Sequence, residues 1–577
     1  MPPRGVISIS AGTTRKGPKP RWPRLSVICP TVTSSPCSAQ RERSSSISFT
    51  FPCVSAMGSC APVRGFGLEV GGRGFVPRPP RGARLGAGNL TRGARLDLQA
   101  EGDRQMTTFT TDVAVIGAGT AGLAAERHAR ETGATTRLID PAFAGTTCAT
   151  VGCMPSKLLI AAADAAHGAR QAGEFGITAE PRVDGPAVLR RLRAMRDDFA
   201  RGVRQSIDAL PEGTCLKARA RFEAPGILAL DTGDRVEARA VVIATGATPA
   251  LPGPYEDVRD RVLTNETVFE LEDLPESLGV IGAGPLGLEM AQAMHRLGVR
   301  VEVFDAGDRL AGLPSDTSDA LHEVLTRSFP VHLDCKPEPS ADGDGVTLKW
   351  DGGQARFARL LVAAGRPPAL SGLDLEKAEL ELDDHGTPVF DAATMQCGDA
   401  PVFIAGDANH DRPLLHEASD EGTVAGRNAA AWPELRRAAR KVPLSISFTR
   451  PEAAVIGAIP EGDGHVCGEI DFSDQGRAKV EGRNHGLARL HARAGDGRLV
   501  GASLCAPGGE QLAHLLAWAI QCEMTASDML DLPFYHPVLA EGLQTALRDI
   551  CRQAGLERPW QRDDTPLPGS NAGAAEE

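Results

Sequence analysis

Asp112-Val113-Ala114-Val115-Ile116-Gly117-Ala118-Gly119-Thr120-Ala121-Gly122 is an apolar strand that runs into a G-x-G-x-x-G turn, with an Ala-rich helical stretch behind it. The glycines permit a tight turn and close backbone approach, and the following helix aims its N-terminus at an anion in that turn. A second strand, Thr136-Arg137-Leu138-Ile139, closes on Asp140, 18 residues past Gly122, where an acid can meet a ribose hydroxyl. One such turn is a weak signal, but here it recurs. Leu278-Gly279-Val280-Ile281 leads into Gly282-Ala283-Gly284-Pro285-Leu286-Gly287, and the strand Val299 to Phe304 closes on Asp305, again 18 residues on. The two copies predict an α/β chain with two Rossmann-like dinucleotide-binding domains and hence two dinucleotides. Asp305 favours NAD over NADP, because a 2′-phosphate would meet carboxylate repulsion; Arg309 tempers that preference without reversing it.

The 577 residues carry 62 Lys/Arg and 74 Asp/Glu, net −12, and the charge is unevenly placed. Residues 1–106 hold 16 basic and 5 acidic side chains, net +11, which leaves net −23 for residues 107–577. A body so acidic, without a basic patch, predicts no nucleic-acid partner. No stretch approaches the roughly 18 consecutive apolar residues of a membrane span, so no membrane partner is expected. Residues 1–106 run in Arg, Pro, Gly and Ser without sustained period 2 or 3.6, and read as a disordered extension or a mis-called start, with Met106 the expected initiator. An organelle transit helix is disfavoured there, because Pro and Gly would break it.

Of the 13 cysteines, Cys29, Cys37, Cys53 and Cys60 lie in that extension. The other nine are unevenly spaced, unlike a secreted disulfide framework, and imply a reducing, cytoplasmic compartment. Cys215, Cys335, Cys397, Cys467, Cys505, Cys522 and Cys551 read as small buried hydrophobes. Cys148 and Cys153 differ, because Cys148-Ala149-Thr150-Val151-Gly152-Cys153-Met154-Pro155-Ser156-Lys157 follows the first ribose acid by eight residues. An undistorted helix would turn positions five apart roughly 140° from each other, so a bond between the sulfurs needs a distorted first turn, which Gly152 and Pro155 allow. A helix N-terminus also favours thiolate. A structural disulfide and two unrelated thiols are the alternatives; a redox dithiol is the reading adopted.

The segment Gly145-Thr146-Thr147-Cys148 to Lys157 resembles the redox-active segment of the class I pyridine nucleotide-disulfide oxidoreductases, and the resemblance extends over residues 107–555. Ala244-Thr245-Gly246, Gly365-Arg366-Pro367 and Phe403-Ile404-Ala405-Gly406-Asp407 match further family segments. The resemblance implies FAD on the first fingerprint, with Asp407 on its ribitol, and nicotinamide on the second. It implies Cys148 as the interchange sulfur, Cys153 as the charge-transfer sulfur, and Lys157 paired near the flavin with Glu289. Departures are local: Thr146 stands where a second Gly is usual, Ala149-Thr150 where Leu-Asn is common, and Asp140 where Glu is usual.

Dithiol oxidation needs a group that takes and returns a thiol proton near neutral pH, and imidazole suits it. In Leu532-Pro533-Phe534-Tyr535-His536-Pro537-Val538-Leu539-Ala540-Glu541, the order His-Pro-x-x-x-Glu is similar to the family's catalytic pair, which implies His536 as base and Glu541 as its orienter. In the family this His serves the partner subunit's thiols, so a homodimer with composite sites is implied, and His536-Pro537 is expected to be cis. The remaining histidines, among them His410, His416 and His485, show no metal-ligand spacing, and no metal is expected.

The expected layout is an FAD-binding domain over 107–255 and 391–440, an NAD-binding domain over 256–390, an α+β dimerisation domain over 441–556 and a tail over 557–577. Within the family the resemblance points to the branch that oxidises a dihydrolipoyl group with NAD, so the implied partner is dihydrolipoamide or a lipoylated carrier on another chain. No Cys follows Cys551, which disfavours the mercury-reducing and large thioredoxin-reducing branches, and the presence of both redox cysteines disfavours the transhydrogenases. A glutathione reductase-like activity, disfavoured by Asp305, or that of another disulfide reductase of the same family is the alternative. A thiol-independent flavin diaphorase or cofactor-binding scaffold is the alternative of another class.

Overall fold

The computed structural model describes residues 106–460 and 462–556, so the expectations for residues 1–105 and for the tail lie outside the described residues. The first sheet has seven strands, in the order Cys215–Leu216, Thr136–Ile139, Thr108–Ile116, Arg235–Ile243, Ile227–Leu230, Ala220–Ala224; Val402–Ile404 also pairs with Arg235–Ile243. Its central strands are parallel, and Val113, Val115, Val241 and Val242 are fully buried, as expected where helices or strands cover both faces. Register decides function here. Ile116 pairs with Ile139 and Ile243, and Ile243 with Ile404, so four strands end level. The residues that follow, Gly117, Asp140, Thr245 and Asp407, therefore gather at one carboxyl edge, where open α/β sheets bind their ligands.

The second sheet repeats the device with five parallel strands, Val331–His332, Arg300–Phe304, Ser277–Ile281, Arg359–Val362 and Val262–Leu263. Ile281 is in register with Phe304 and Val362, which brings Gly282, Asp305 and Gly365 together at its carboxyl edge. Three antiparallel strands between Glu338 and Phe357 form a separate small sheet.

The third unit is a five-stranded antiparallel sheet in the order Leu444–Ser447, Glu452–Gly457, Leu499–Ala506, Leu487–Arg493, His465–Asp471. Burial alternates along Leu487–Arg493, the signature of a sheet with one face on a core. That core holds Phe472, Leu490 and Leu504 against Leu512 and Leu516 of the helix Gly509–Gln521 and Leu543 and Leu547 of the helix Gly542–Gln553.

Helix Thr120–Glu131 packs closely on helix Leu415–Ala431. A Cβ on Gly422 would lie 2.2 Å from the Ala121 carbonyl oxygen, and one on Gly426 2.2 Å from that of Ala125. Among the described residues no helix is long and apolar enough to cross a membrane. One expectation about burial fails. Cys397, Cys505 and Cys551 are buried, but Cys215, Cys335 and Cys467 are half-buried and Cys522 is exposed. Cys522 ends the helix Gly509–Gln521 one turn beyond Trp518, which is itself 63% exposed, so that face looks outward.

Candidate functional site

The two fingerprint turns have the same geometry. Gly117 sits at φ +106°, and a Cβ there would lie 2.3 Å from the Ala244 carbonyl oxygen; Gly282 sits at φ +109°, 2.4 Å from that of Ala363. A Cβ on Gly122 or Gly287 would lie 1.9 Å from the carbonyl oxygen of the first glycine of its own turn, so the helix is pressed onto the strand end. Gly119 and Gly284 differ, because a Cβ on either meets nothing within 4 Å. These middle glycines face open space, and no side chain caps the helices that begin behind them, so their N–H groups are free for an anion.

Asp140 and Asp305 also act alike. Asp140 accepts from the N–H of Ala118 at 3.0 Å and of Ala142 at 2.8 Å; Asp305 accepts from the N–H of Ala283 and, at 2.7 Å, of Gly307. Each carboxylate thus ties its turn to the neighbouring strand end and retains lone pairs for a ribose hydroxyl. Arg309 pairs with Asp308, not with Asp305.

At the first edge the Thr245 hydroxyl is buried without a hydrogen-bond partner, as expected of a group whose partner is a bound cofactor. Asp407 lies 3.2 Å from Arg366, which also donates to the Ala247 carbonyl at 2.9 Å. Buried Glu421 braces this turn by accepting from the Gly406 N–H at 2.8 Å and the Asn409 amide at 2.7 Å, with the Arg440 guanidinium against its other oxygen. Burial pushes the Glu421 carboxyl pKa up, while those donors and Arg440 oppose the shift. At the second edge a cavity of about 1050 Å³ is lined by Gly282, Gly284, Asp305, Gly365 and Arg366 on one side and by Leu444 and Val455 on the other.

The expected helix distortion lies between the cysteines. Cys148 is in the short helix Thr147–Thr150, capped by Thr146, and Cys153 opens the helix Cys153–Gln171. The break falls at Gly152, where a Cβ would lie 2.9 Å from the Thr147 carbonyl oxygen and 3.3 Å from the Cys148 Cα, so only glycine lets the two turns close up. Both thiols are free, and they sit on two helix starts closed together at Gly152. The Cys148 thiol beside it and then the Lys157 charge lower the Cys153 pKa to about 6, although Cys153 itself is exposed. The neighbouring Cys153 thiol and then burial push the Cys148 pKa up. The two shifts run in opposite directions and favour the thiolate at Cys153 over Cys148.

Lys157 Nζ lies 2.7 Å from Glu289, which is only 4% exposed. The other Glu289 oxygen accepts from the Phe448 N–H at 2.9 Å. Lys157, Glu289 and the thiols thus join the redox helix to the second fingerprint helix, Pro285–Arg296.

His536 stands apart from this cluster. Its Nδ1 lies 2.9 Å from Glu541 Oε1, Glu541 Oε2 accepts from the Val538 N–H at 2.9 Å, and the His536–Pro537 peptide is cis. The Val538 N–H and then His536 lower the Glu541 pKa, so the carboxylate is ionised and Nδ1 carries the ring proton. The imidazole is 83% exposed in the single chain, beside Tyr535 at 81%.

Residues 111–422 match the family model described as pyridine nucleotide-disulphide oxidoreductase, and residues 444–547 match the dimerisation domain of the same family. The chain belongs to the pyridine nucleotide-disulphide oxidoreductase family. FAD and NAD(H) are its cofactors, and the free helix N-termini, the open middle glycines and the unpartnered Thr245 hydroxyl fit such groups. A dihydrolipoyl dehydrogenase of Haloferax volcanii is 32% identical over 472 residues, covering 77% of this chain and 97% of that protein. A mercuric reductase of Acidithiobacillus ferrooxidans is 31% identical over 462 residues, covering 76% and 82%. The Cu(II) complex of the HOCl-induced flavoprotein disulfide reductase RclA from Escherichia coli has a TM-score of 0.67 at 21% identity, covering 76% of this chain and 99% of that one, and shares the fold. Three site neighbours gave no signal in the sequence: Phe448, Gln292 and Arg440. Each is recruited across more than 15 residues by tertiary packing.

Proposed function

We propose that this chain is a flavin-dependent dihydrolipoyl dehydrogenase, oxidising a dihydrolipoyl dithiol to its disulfide with NAD as the final acceptor. The observation that carries this reading is the dithiol itself, with Cys148 and Cys153 on two helix starts closed together at Gly152 and the Lys157–Glu289 pair one turn along the redox helix. FAD would be held by the first fingerprint, Thr245 and Asp407, and NAD by the second fingerprint and Asp305; when bound, the pair would supply the acceptor chemistry for the two electrons of the dithiol.

The remaining chemistry belongs to the chain. With Nδ1 protonated and held by Glu541, the other ring nitrogen of His536 takes a proton from one substrate thiol. The resulting thiolate attacks Cys148 of the disulfide form, the Cys148–Cys153 bond breaks, and Cys153 leaves as the thiolate favoured by its low pKa. The second substrate thiol then displaces Cys148 from the mixed disulfide, giving substrate disulfide and protein dithiol. The exposed His536 belongs to a segment that matches the dimerisation domain, which supports a homodimer in which each imidazole serves the other protomer's thiols.

The substrate assignment draws on charge as well as on the relatives' names. No Lys or Arg occurs between Arg498 and Arg548, while Glu510, Glu523, Asp528, Asp531 and Glu541 do, so the His536 segment is anionic. It suits a neutral alkyl dithiol better than net-anionic glutathione disulfide. A cytoplasmic location suits the reaction's need for NAD. The test is steady-state oxidation of dihydrolipoamide with NAD beside NADPH-driven reduction of oxidised glutathione. Turnover in the first assay alone supports the reading, and turnover in the second alone refutes it.

A further inference from the structure

Lys157 is held by more than its carboxylate. Its ammonium contacts Glu289 at 2.7 Å, the Ser156 hydroxyl at 3.4 Å, and the ring of Phe448, whose centroid lies 4.3 Å away. An ammonium has three N–H donors, and the third face of this one is turned to an aromatic quadrupole within the distance at which cation–π attraction operates. Phe448 comes from neither dinucleotide fold. It follows the strand Leu444–Ser447 of the antiparallel sheet, in the segment that matches the dimerisation domain.

The placement of Phe448 is fixed on both sides. Its own N–H donates to Glu289 Oε1 at 2.9 Å. Two residues on, the Gln292 side chain takes both backbone groups of Arg450, accepting from its N–H at 2.7 Å and donating to its carbonyl at 2.9 Å. The Arg450 guanidinium reaches Asp164 of the redox helix at 2.9 Å, and Arg296 holds the other Asp164 oxygen at 2.6 Å. Glu289, Gln292 and Arg296 are spaced along one face of a single helix, so this face clamps the segment Phe448–Arg450 against the redox helix.

We propose that Phe448 is a positioning residue: its ring seats the Lys157 ammonium beside the redox thiols, so that the antiparallel domain, and not only the two dinucleotide folds, sets the charge that Cys153 feels. The groups facing Cys153 are Cys148 from the short helix, Lys157 from its own helix, and Glu289 from the second fingerprint helix. Lys157 favours the Cys153 thiolate and Glu289 opposes it, so an ammonium that loses its seat leaves the thiol harder to ionise. The inference rests on the proposed place of Cys153 against the flavin.

The experiment uses the FAD-loaded protein in a Cys148→Ser background, which leaves Cys153 as the single redox thiol. The long-wavelength absorbance of thiolate against oxidised flavin is titrated with pH in three proteins: the background itself, the background with Phe448→Leu, and the background with Phe448→Tyr. The leucine should raise the midpoint by about half a pH unit or more, and the tyrosine, which keeps the π face, should restore it. If the leucine protein does not fold, a pentafluorinated phenylalanine at 448, equal in shape with its quadrupole reversed, should give the same rise. A merely structural ring would lower the melting temperature and leave the midpoint in place, and an unmoved midpoint overturns the inference alone. Absence of the absorbance in all three proteins at every pH overturns the placement of Cys153 and the inference with it.

Discussion

Gly119→Ala separates cofactor binding from folding. Gly119 has φ −77° and ψ −171°, an extended conformation open to alanine, and its added Cβ meets nothing within 4 Å. Two small terms act on stability. Replacing glycine where the backbone is compatible gains about 0.4–1 kcal/mol from the unfolded chain, and alanine at a helix N-cap loses a similar amount. They offset, so the melting temperature of the cofactor-free chain should stay within a few degrees. Flavin binding should not survive as well. The new methyl projects into the space in front of the free helix N–H groups, where the pyrophosphate of a dinucleotide sits. Loss of one charge-assisted hydrogen bond costs about 1.5–3 kcal/mol, so FAD should bind roughly 10- to 150-fold more weakly. The control is Gly122→Ala, whose Cβ would lie 1.9 Å from the Gly117 carbonyl oxygen, and which should not give soluble folded protein. The assay is flavin content of the purified chain, fluorescence titration with FAD, and thermal melting by circular dichroism. Full flavin content with unchanged affinity in Gly119→Ala would refute the placement of the pyrophosphate against this turn. A collapse of apo stability would show that the space before Gly119 is not open.

Further outcomes follow from the same geometry. His536→Gln alters an 83% exposed side chain and should leave folding intact, while dihydrolipoamide oxidation falls by about 10²- to 10⁴-fold; unchanged turnover would remove His536 as base. Cys148→Ser should abolish NADH production from dihydrolipoamide yet retain NADH-driven dye reduction, and undiminished dihydrolipoamide turnover would refute the thiol mechanism. A thiol with a lowered pKa is charged above that pKa, so the Cys153 thiolate signature in the reduced holoenzyme should persist at pH 7 and fade as pH falls through about 6, read by absorbance. Asp305→Gly removes the carboxylate that would repel a 2′-phosphate, and should lower the ratio of kcat/KM for NAD over NADP by about tenfold or more, a difference of about 1.4 kcal/mol; an unaltered ratio would place the selectivity elsewhere.

Sequence alone carried everything that is local. The turns at Gly117 and Gly282, each with its acid 18 residues on, are read within single βαβ units, and the five-residue cysteine spacing demanded a distorted helix start, found at Gly152. His536 and Glu541 are close in sequence, so their hydrogen bond was legible too. Burial of the remaining cysteines was not. Exposure depends on which helix face a neighbouring element covers, and none among the described residues covers the face that carries Trp518 and Cys522.

Tertiary structure decided what depends on long-range register and on the field at a single atom. Ile116, Ile139, Ile243 and Ile404 end level only because their strands pair in one register, and that pairing gathers Gly117, Asp140, Thr245 and Asp407 from across nearly 300 residues. Composition could not say which sulfur holds the proton. The neighbouring thiol and the nearby ammonium of Lys157 favour the negative charge at Cys153, and Lys157 is held by Glu289, 132 residues away, and by the ring of Phe448. A charge is stabilised by what lies within a few ångströms of it in space, and chain order does not record that distance.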